Sequence, residues 1–285
     1  MLIENTLFGI RDKVKISIDR LKAFEPSEGY YLCFSGGKDS QCIYHLAKEA
    51  GVKFDAHYNV TGIDPPELIY FMKKNYPDVI RDMYKKSMWQ LIEKLGMPMR
   101  MKRFCCTELK EHGGDGRLCI TGVRWAESTQ RKNRKPFEIV TKKKEDRKLF
   151  NDNDGERRLF ENCMQKGKRV INPIIDWEDA DVWEFIKDRG LEYCKLYDQG
   201  YERLGCIGCP MGGSKGMIED FEKYPKFKKL YTMAAKKHLA YRKSRGLKIY
   251  EENSIPEDMI DWWIDIQEKN DKQIDGQTDI FDEED

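Results

Sequence analysis

The sequence predicts a doubly wound α/β fold with a mostly parallel sheet, and three observations carry that expectation. Short apolar runs end at glycine or proline, stretches of helical periodicity follow them, and the alternation repeats several times along the first two thirds of the chain. At 285 residues and 40% hydrophobic, the chain has enough apolar material for a large core.

The elements are read in order. Residues Ile3 to Phe24 are expected to form an amphipathic helix, because Leu7, Ile10, Val14, Ile18 and Leu21 recur at three- and four-residue spacing. Tyr30 to Phe34 is an apolar run stopped by Gly36-Gly37, the pattern of a buried strand. Gln41 to Ala50 returns to helical periodicity and stops at Gly51. Phe54 to Val60 reads as a strand, Pro66 to Tyr76 as a helix, Val79 to Arg81 as a strand and Met88 to Leu95 as a helix. Leu118 to Val123 and Val170 to Pro173 read as further strands. A helix after Asp176-Trp177 carries Val182, Phe185 and Ile186 inward. Between the last two strands, residues 132–169 hold thirteen basic and seven acidic residues with a turn-forming Asn-Asp-Asn-Asp-Gly run, and are expected to be a charged insertion, either an exposed β-hairpin or a partly ordered segment.

The domain plan that follows is an N-terminal helix over 1–28, a nucleotide-binding domain over 29–210, a helical extension over 211–270 and a disordered acidic tail over 271–285. Net charge is +1, but its distribution is uneven. Lys223 to Lys248 holds ten Lys or Arg and no acid, whereas Ile249 to Asp285 holds fourteen acids and two Lys. The basic stretch fits a phosphate-backbone surface of a nucleic acid, and equally a solvated helix face. The start of the chain has no basic segment followed by an apolar one, and no apolar run approaches the roughly 20 residues of a membrane span. A cytoplasmic location without membrane contact is expected. Nine cysteines cannot all pair within one chain, so metal or catalytic roles are weighed for them.

Ser35-Gly36-Gly37-Lys38-Asp39-Ser40 joins a strand to a helix. Two glycines let backbone N–H groups face inward, the helix start adds partial positive charge, and the two serines and Lys38 complete an anion cradle of phosphate size. An ordinary strand–helix turn would need one glycine and no lysine. The Gly-x4-Gly-Lys-Ser/Thr spacing of a Walker loop is absent. Further on, Arg124 and Arg131 flank Ser128 just after a strand, where open α/β sheets bind ligands.

These segments resemble the PP-loop superfamily, and within it the sulfonucleotide (APS and PAPS) reductase family. The loop matches its SGGKDS-type signature. Asn59-Val60-Thr61-Gly62 resembles its Asp-Thr-Gly segment, with asparagine in place of the usual acid. Thr121-Gly122-Val123-Arg124 through Glu127-Ser128 to Arg131 resembles its Gly-x-Arg-x3-Ser-x2-Arg element. Ile171-Asn172-Pro173, Asp181-Val182-Trp183 and Tyr197-Asp198-Gln199-Gly200-Tyr201 also fit. The resemblance implies an adenine nucleotide α-hydrolase-like fold with ATP, or APS or PAPS, held by Ser35, Gly36, Gly37, Lys38, Asp39, Ser40, Thr61, Gly62, Gly122, Arg124, Ser128 and Arg131. Asp39 is the candidate Mg²⁺ ligand and, with Lys110, a candidate catalytic residue.

Cys105-Cys106 and Cys206-x-x-Cys209 form two pairs about a hundred residues apart. Four thiolates suit zinc or an iron–sulfur cluster, and adjacent cysteines fit zinc spacing poorly. The family resemblance points to a [4Fe–4S] cluster on these four. It also places Lys110, four residues after Cys106, between cluster and nucleotide, although Leu109 stands where the family carries an arginine. Gly205 and Gly208 would bring N–H groups toward the cluster sulfurs. Cysteines 33, 42, 119, 163 and 194 are expected to be buried apolar side chains.

The sulfonucleotide reductases use a C-terminal cysteine nucleophile, and no cysteine follows Cys209 in this sequence. Three readings stay open. In the first, ATP adenylates an acceptor and sulfur is transferred to it. The chain resembles the cluster-bearing proteins of DNA phosphorothioation in this respect, which implies a nucleic-acid acceptor, a sulfur donor such as a cysteine desulfurase, and a possible homo-oligomer. The second is an APS or PAPS reductase. The third is a non-catalytic regulator that senses nucleotide or cluster.

Overall fold

The computed structural model describes residues 1–7, 9–100, 102–111, 113–129, 131–140, 149–150, 168–249 and 255–266. These fall into two compact units. One comprises Met1–Asn59, Glu67–Asp82 and Gly113–Leu204; the other comprises Val60–Pro66, Met83–His112 and Gly205–Asp285.

The first unit opens with an antiparallel hairpin, β1 (Ile3–Thr6) and β2 (Gly9–Asp12), before helix α1 (Lys13–Ala23). The helix expected from Ile3 therefore starts ten residues late. The apolar spacing that suggested it is real, but Leu7 is fully exposed and Ile10 is 75% exposed. Gly9 takes φ +117°, a conformation a helix cannot continue through, and the Asp12 side chain caps α1 by accepting from the Lys15 N–H.

β3 (Tyr30–Cys33), α2 (Lys38–Ala50), β4 (Phe54–Val60), α3 (Pro66–Asn75) and β5 (Ile80–Met83) follow as expected. β6 (Leu118–Ile120), β7 (Phe137–Val140), β8 (Leu149–Phe150) and β9 (Lys168–Ile171) complete a seven-stranded sheet in the order β5-β4-β3-β6-β9-β7-β8. β3 pairs in parallel with both β4 and β6, and β6 with β9, while β7 runs antiparallel to its neighbours β9 and β8. The charged insertion thus contributes structure to the sheet itself. Phe137 and Ile139 of β7 are buried, because the basic run at 141–148 begins only after an alternating apolar segment. Residues 141–148 and 151–167, Cys163 among them, lie outside the described residues.

The sheet is built outward from β3, first toward β4 and β5, then back across to β6. That reversal leaves a crevice at the carboxyl ends of β3 and β6. On one side of the sheet α1 packs against α2, and α2 against α6 (Asp179–Asp188), which buries Val182, Phe185 and Ile186.

The second unit has its own core. α4 (Met88–Leu95) packs against α8 (Pro225–Ser244), and α7 (Gly213–Lys223) also packs on α8. Leu91 and Ile92 join Met217, Phe221, Tyr231, Ala235 and Leu239 in one apolar cluster, closed by Trp263 from a helix at 256–266. Residues 83–112 belong to this unit because the apolar face of α4 is buried by residues more than a hundred positions later. The tail beyond 266 lies outside the described residues. Among those described, no helix is long and apolar enough to cross a membrane.

Candidate functional site

The loop after β3 is shaped by two different glycines. Gly36 has φ +75°, and a Cβ there would stand 2.7 Å from Cγ and Sδ of Met72, so both conformation and space exclude a side chain. Gly37 begins α2 with φ −76° and has room: the nearest atoms to an added Cβ, Ser35 Oγ and Tyr197 Oη, are 3.5 Å away. Ser35 Oγ donates to Ser40 Oγ at 3.2 Å, and Ser40 Oγ to the Gly37 carbonyl at 2.8 Å. The two serines therefore brace the loop.

Lys38 is not extended into open space. Its Nζ donates to the Glu202 carbonyl at 2.7 Å and lies 3.3 Å from Asp179, and its backbone N–H donates to Tyr197 Oη at 2.8 Å. The phenol and carbonyl thus occupy donors that the sequence assigns to a phosphate. Asp39 faces Arg124, whose Nε donates to Oδ1 at 2.6 Å. Arg124 also reaches Asp179 at 2.6 Å and the Trp177 carbonyl at 3.2 Å. Its side chain is 3% exposed. Burial works against that charge, but Asp39 and Asp179 outweigh it and raise its pKa. Gly122 packs closely on the start of α2, where an added Cβ would stand 3.1 Å from the Asp39 backbone.

Arg131 lies one turn further and pairs with Glu127. Ser128 is exposed, and its carbonyl accepts the Arg131 N–H at 2.9 Å. The structure thus joins Ser35 to Ser40, Gly122, Arg124 and Arg131 in one network.

Thr61 and Gly62 fall in the other unit, with the cysteines. Cys105 and Cys106 stand on the short helix α5 (Phe104–Leu109), and Cys206 and Cys209 on the loop before α7. All four line a single cavity with Thr61, Ile63, Lys110 and Tyr231. That cavity holds about 370 Å³ of atom-free space, counted out to its open mouth. The loop is fixed by Ile207 N–H donating to the Ile63 carbonyl at 2.8 Å and by Tyr231 Oη donating to the Ile207 carbonyl at 3.0 Å. Gly208 takes φ +67° against the Phe221 ring, and its N–H donates to Asp220 at 2.8 Å. That donor is directed at a carboxylate, contrary to the expectation that it faces a cluster sulfur.

Cys106 is held down to about 6 by its hydrogen bond with Cys105; burial opposes this, and Lys110 and Arg103 reinforce it. Burial pushes Cys206 up to about 12 against the pull of Lys110. The Lys110 pKa is raised by Cys206 foremost, with dehydration opposing and Asp64 assisting. Cys206 Sγ is also 3.5 Å from Asp64, which accepts from Thr61 Oγ1 at 2.6 Å. Among the described residues, no three Cys, His, Asp or Glu side chains are grouped to hold one metal ion. Four thiols around one cavity are a soft donor set of the kind that zinc or an iron–sulfur cluster accepts. Of the remaining cysteines, Cys42, Cys119 and Cys194 are buried as expected and Cys33 is partly so.

Asp64 and Asp179 were not singled out from the sequence: Asp179 meets Arg124 and Lys38 from far along the chain, and Asp64, which accepts from nearby Thr61, meets Cys206 only through the fold.

A glycine loop at the reversal of a mostly parallel sheet, flanked by an Arg–Asp network, defines a nucleotide-binding protein of the PP-loop class. Residues 29–211 match the phosphoadenosine phosphosulfate reductase domain, and the chain belongs to that family. It is 29% identical over 200 residues to an uncharacterized protein of Methanocaldococcus jannaschii, covering 67% of this chain and 44% of that one. A second protein of that organism is 28% identical over 228 residues, 73% of this chain and 42% of its own length. The chain thus spans less than half the length of these two relatives. A probable FAD synthase of Schizosaccharomyces pombe is 27% identical over 212 residues, 70% of this chain and 69% of its own. The structure of PAPS reductase from Candida auris, a phosphate complex, aligns with TM-score 0.45 at 16% identity, over 67% of this chain and 87% of that one.

Proposed function

We propose that this chain is an enzyme that takes ATP with Mg²⁺ on the Ser35–Ser40 loop, adenylates an oxygen of an acceptor and directs sulfur to it. The observation that carries the choice of nucleotide is Asp39, a carboxylate set within the cradle and paired to Arg124 at 2.6 Å. A bare carboxylate repels phosphate. Bridged by a divalent cation to a triphosphate, it becomes a ligand instead. The relative named as a probable FAD synthase fits a chain that handles an adenine nucleotide.

In this reading the acceptor oxygen attacks the α-phosphorus and pyrophosphate leaves. The terminal sulfur of a persulfide on a donor protein, such as a cysteine desulfurase, then displaces AMP together with that oxygen, and a thiol reductant cleaves the resulting disulfide to leave the sulfur on the acceptor. Arg124, fixed by two carboxylates, orients Asp39, and Lys38 turns from the Glu202 carbonyl to the phosphates. Cys105, Cys106, Cys206 and Cys209 would hold a [4Fe–4S] cluster, whose chemistry here is the binding of sulfur, and Lys110 would balance the thiolate charge. A nucleic acid is the acceptor this reading favours. Lys226, Lys229, Lys236 and Lys237 are exposed on α8, whose other side buries Tyr231, Ala235 and Leu239.

The match over residues 29–211 favours a second reading, reduction of APS or PAPS. Anaerobic incubation of the protein with Mg·ATP, APS or PAPS decides between them. Pyrophosphate release that depends on nucleic acid and a sulfur donor supports the first reading; thioredoxin-dependent sulfite release supports the second and overturns the first.

A further inference from the structure

The approach to the cysteine cavity carries positive charge that neither the nucleotide loop nor the exposed lysines of α8 supply. Pro98 lines the cavity beside Cys105 and Cys106, and the Trp263 indole N–H donates to its carbonyl at 2.6 Å. The chain then turns back on itself: the Lys102 N–H donates to the Met99 carbonyl at 3.0 Å, and the Met99 N–H to the Lys102 carbonyl at 3.3 Å. Arg103 follows as the N-cap of α5, its carbonyl accepting the Cys106 N–H at 3.0 Å. A turn fixed at both ends thus sets Lys102 and Arg103 just before the first cysteine pair.

Among the described residues of 97–103, these two alone are exposed. Neither lies within ion-pair distance of an acidic side chain among the described residues, and Glu108 on α5 is engaged by the Tyr84 hydroxyl. Arg242 donates to the Lys248 carbonyl at 3.0 Å, a contact that leaves its charge uncancelled. The charges of Lys102 and Arg242 both bear on buried His238, so they stand on the inner side of α8. Lys229 precedes His238 by nine residues, about two and a half turns, and faces the other way. The cavity therefore has a basic approach of its own.

Composition says what such a surface recognises. Protein interfaces deplete lysine and rely on buried aromatic or aliphatic anchors. Here the turn exposes a lysine and an arginine, with no exposed apolar side chain among its described residues. Cations of one sign on a rigid turn fit a polyanion whose phosphates recur along a strand.

We propose that Lys102 and Arg103, supported by Arg242, are positioning residues that hold phosphates of a nucleic-acid acceptor at the mouth of the cysteine cavity. This rests on reading the acceptor as a nucleic acid. The lysines of α8 then add affinity from the opposite side of that helix, and the turn decides which part of the strand meets the cavity.

The test is fluorescence anisotropy of a labelled single strand of about 20 nucleotides, titrated at several salt concentrations, which sets the strand's length well beyond a two-phosphate contact. The proteins are the wild type, Lys102→Gln with Arg103→Gln, the conservative Arg103→Lys, and Lys229→Gln with Lys236→Gln and Lys237→Gln. Ultraviolet crosslinking and peptide mass spectrometry locate the contacts, and thermal denaturation confirms that each variant is folded. The double variant should bind severalfold more weakly at low salt and flatten the salt slope by about 1.4, two single-strand contacts at about 0.7 each. Its crosslinks to residues 97–109 should disappear while those on α8 remain, and the triple variant should show the reverse. Arg103→Lys keeps the charge and should keep the slope. A strand that binds with no crosslink near the turn, and with a slope the double variant leaves unaltered, would overturn this role and leave the acceptor on α8. A double variant that keeps its affinity for the strand but no longer binds a cysteine desulfurase would assign the turn to a protein donor instead. A wild type that binds no strand would overturn the nucleic-acid reading, and this role with it.

Discussion

Arg124 Nε and Asp39 Oδ1 meet at 2.6 Å and tie the start of α2 to the turn that follows β6. The two elements come from the two sides of the sheet's reversal. The pair therefore braces the crevice in which a parallel α/β sheet presents its ligand. Because Arg124 is almost fully buried and its second carboxylate, Asp179, arrives from α6, removing it would leave two carboxylates facing each other.

Arg124→Ala should cost about 3 kcal/mol of stability, the scale for breaking a buried charge network. Urea denaturation with an unchanged m-value measures it. Asp39→Asn keeps the shape and a hydrogen bond acceptor, and should cost about 1 kcal/mol or less. If Asp39 holds a divalent cation, the same variant should abolish the Mg²⁺ dependence of ATP binding.

The two loop glycines should separate folding from binding. Gly36→Ala places a Cβ 2.7 Å from Met72 at a positive φ, and should cost about 1–3 kcal/mol. Gly37→Ala meets nothing closer than 3.5 Å, so the fold should stay within about 0.5 kcal/mol of the wild type. Gly37→Val should weaken nucleotide binding by bulk alone. Melting temperatures and nucleotide affinities for the three variants test the contrast.

Stability should fall as the medium is acidified through the histidine range. His238 is buried on α8, its Nδ1 lies 2.9 Å from the Glu93 carbonyl, and burial lowers its pKa, helped by Arg242 and Lys102. His45 is lowered in the same direction by burial and Lys48. A lowered folded-state pKa means that the unfolded chain binds the proton first. The contribution is therefore complete above about pH 6.5 and is lost as pH falls through the folded value. Unfolding free energies between pH 5 and 7.5 should show the decline, and His238→Gln should flatten part of it. A slope unchanged by that substitution would remove His238 as a source.

Much of this architecture was legible because it is written locally. β3, β4, β6 and β9 are apolar runs stopped by turn residues, and α2, α3, α4 and α6 follow helical spacing with visible starts. The cradle and the two cysteine pairs are compact motifs. The hairpin at residues 3–12 was not legible, since Leu7 and Ile10 mimic a helical stripe while facing solvent. Nor were the two units, because residues 60–66, 83–112 and 205 onward meet only in three dimensions. Thr61 was grouped with the nucleotide residues through its resemblance to the family's Asp-Thr-Gly segment, and the structure sets its hydroxyl on Asp64 beside Cys206.

If the four cavity cysteines hold a [4Fe–4S] cluster, protein purified without oxygen should be brown and carry about four irons per chain. Serine at any one of Cys105, Cys106, Cys206 or Cys209 should bleach it. Serine at Cys42 or Cys163 should not. Colourless protein carrying one zinc would replace the cluster with a single-ion site.

The basic face of α8 makes the sharpest demand on the proposed acceptor. Each lysine that neutralises a phosphate displaces a counterion, and contributes about 0.7–0.9 to the slope of log affinity against log salt. Lys229 and Lys236 are seven residues apart and so share one side of the helix, with Lys237 beside them. Lys228 lies 3.8 Å from Asp261, which already offsets part of its charge, so its share should be smaller. Replacing Lys228, Lys229, Lys236 and Lys237 by Gln together should therefore flatten the slope by about 3 and weaken binding at low salt. Nucleotide affinity should not move, since none of the four contributes to the loop network. None is buried, so the fold should tolerate the change. Binding of nucleic acid that ignores salt, or a slope unaltered by the fourfold substitution, would take the acceptor off this face. The nucleotide loop and the cysteine cavity would then serve a small-molecule or protein acceptor.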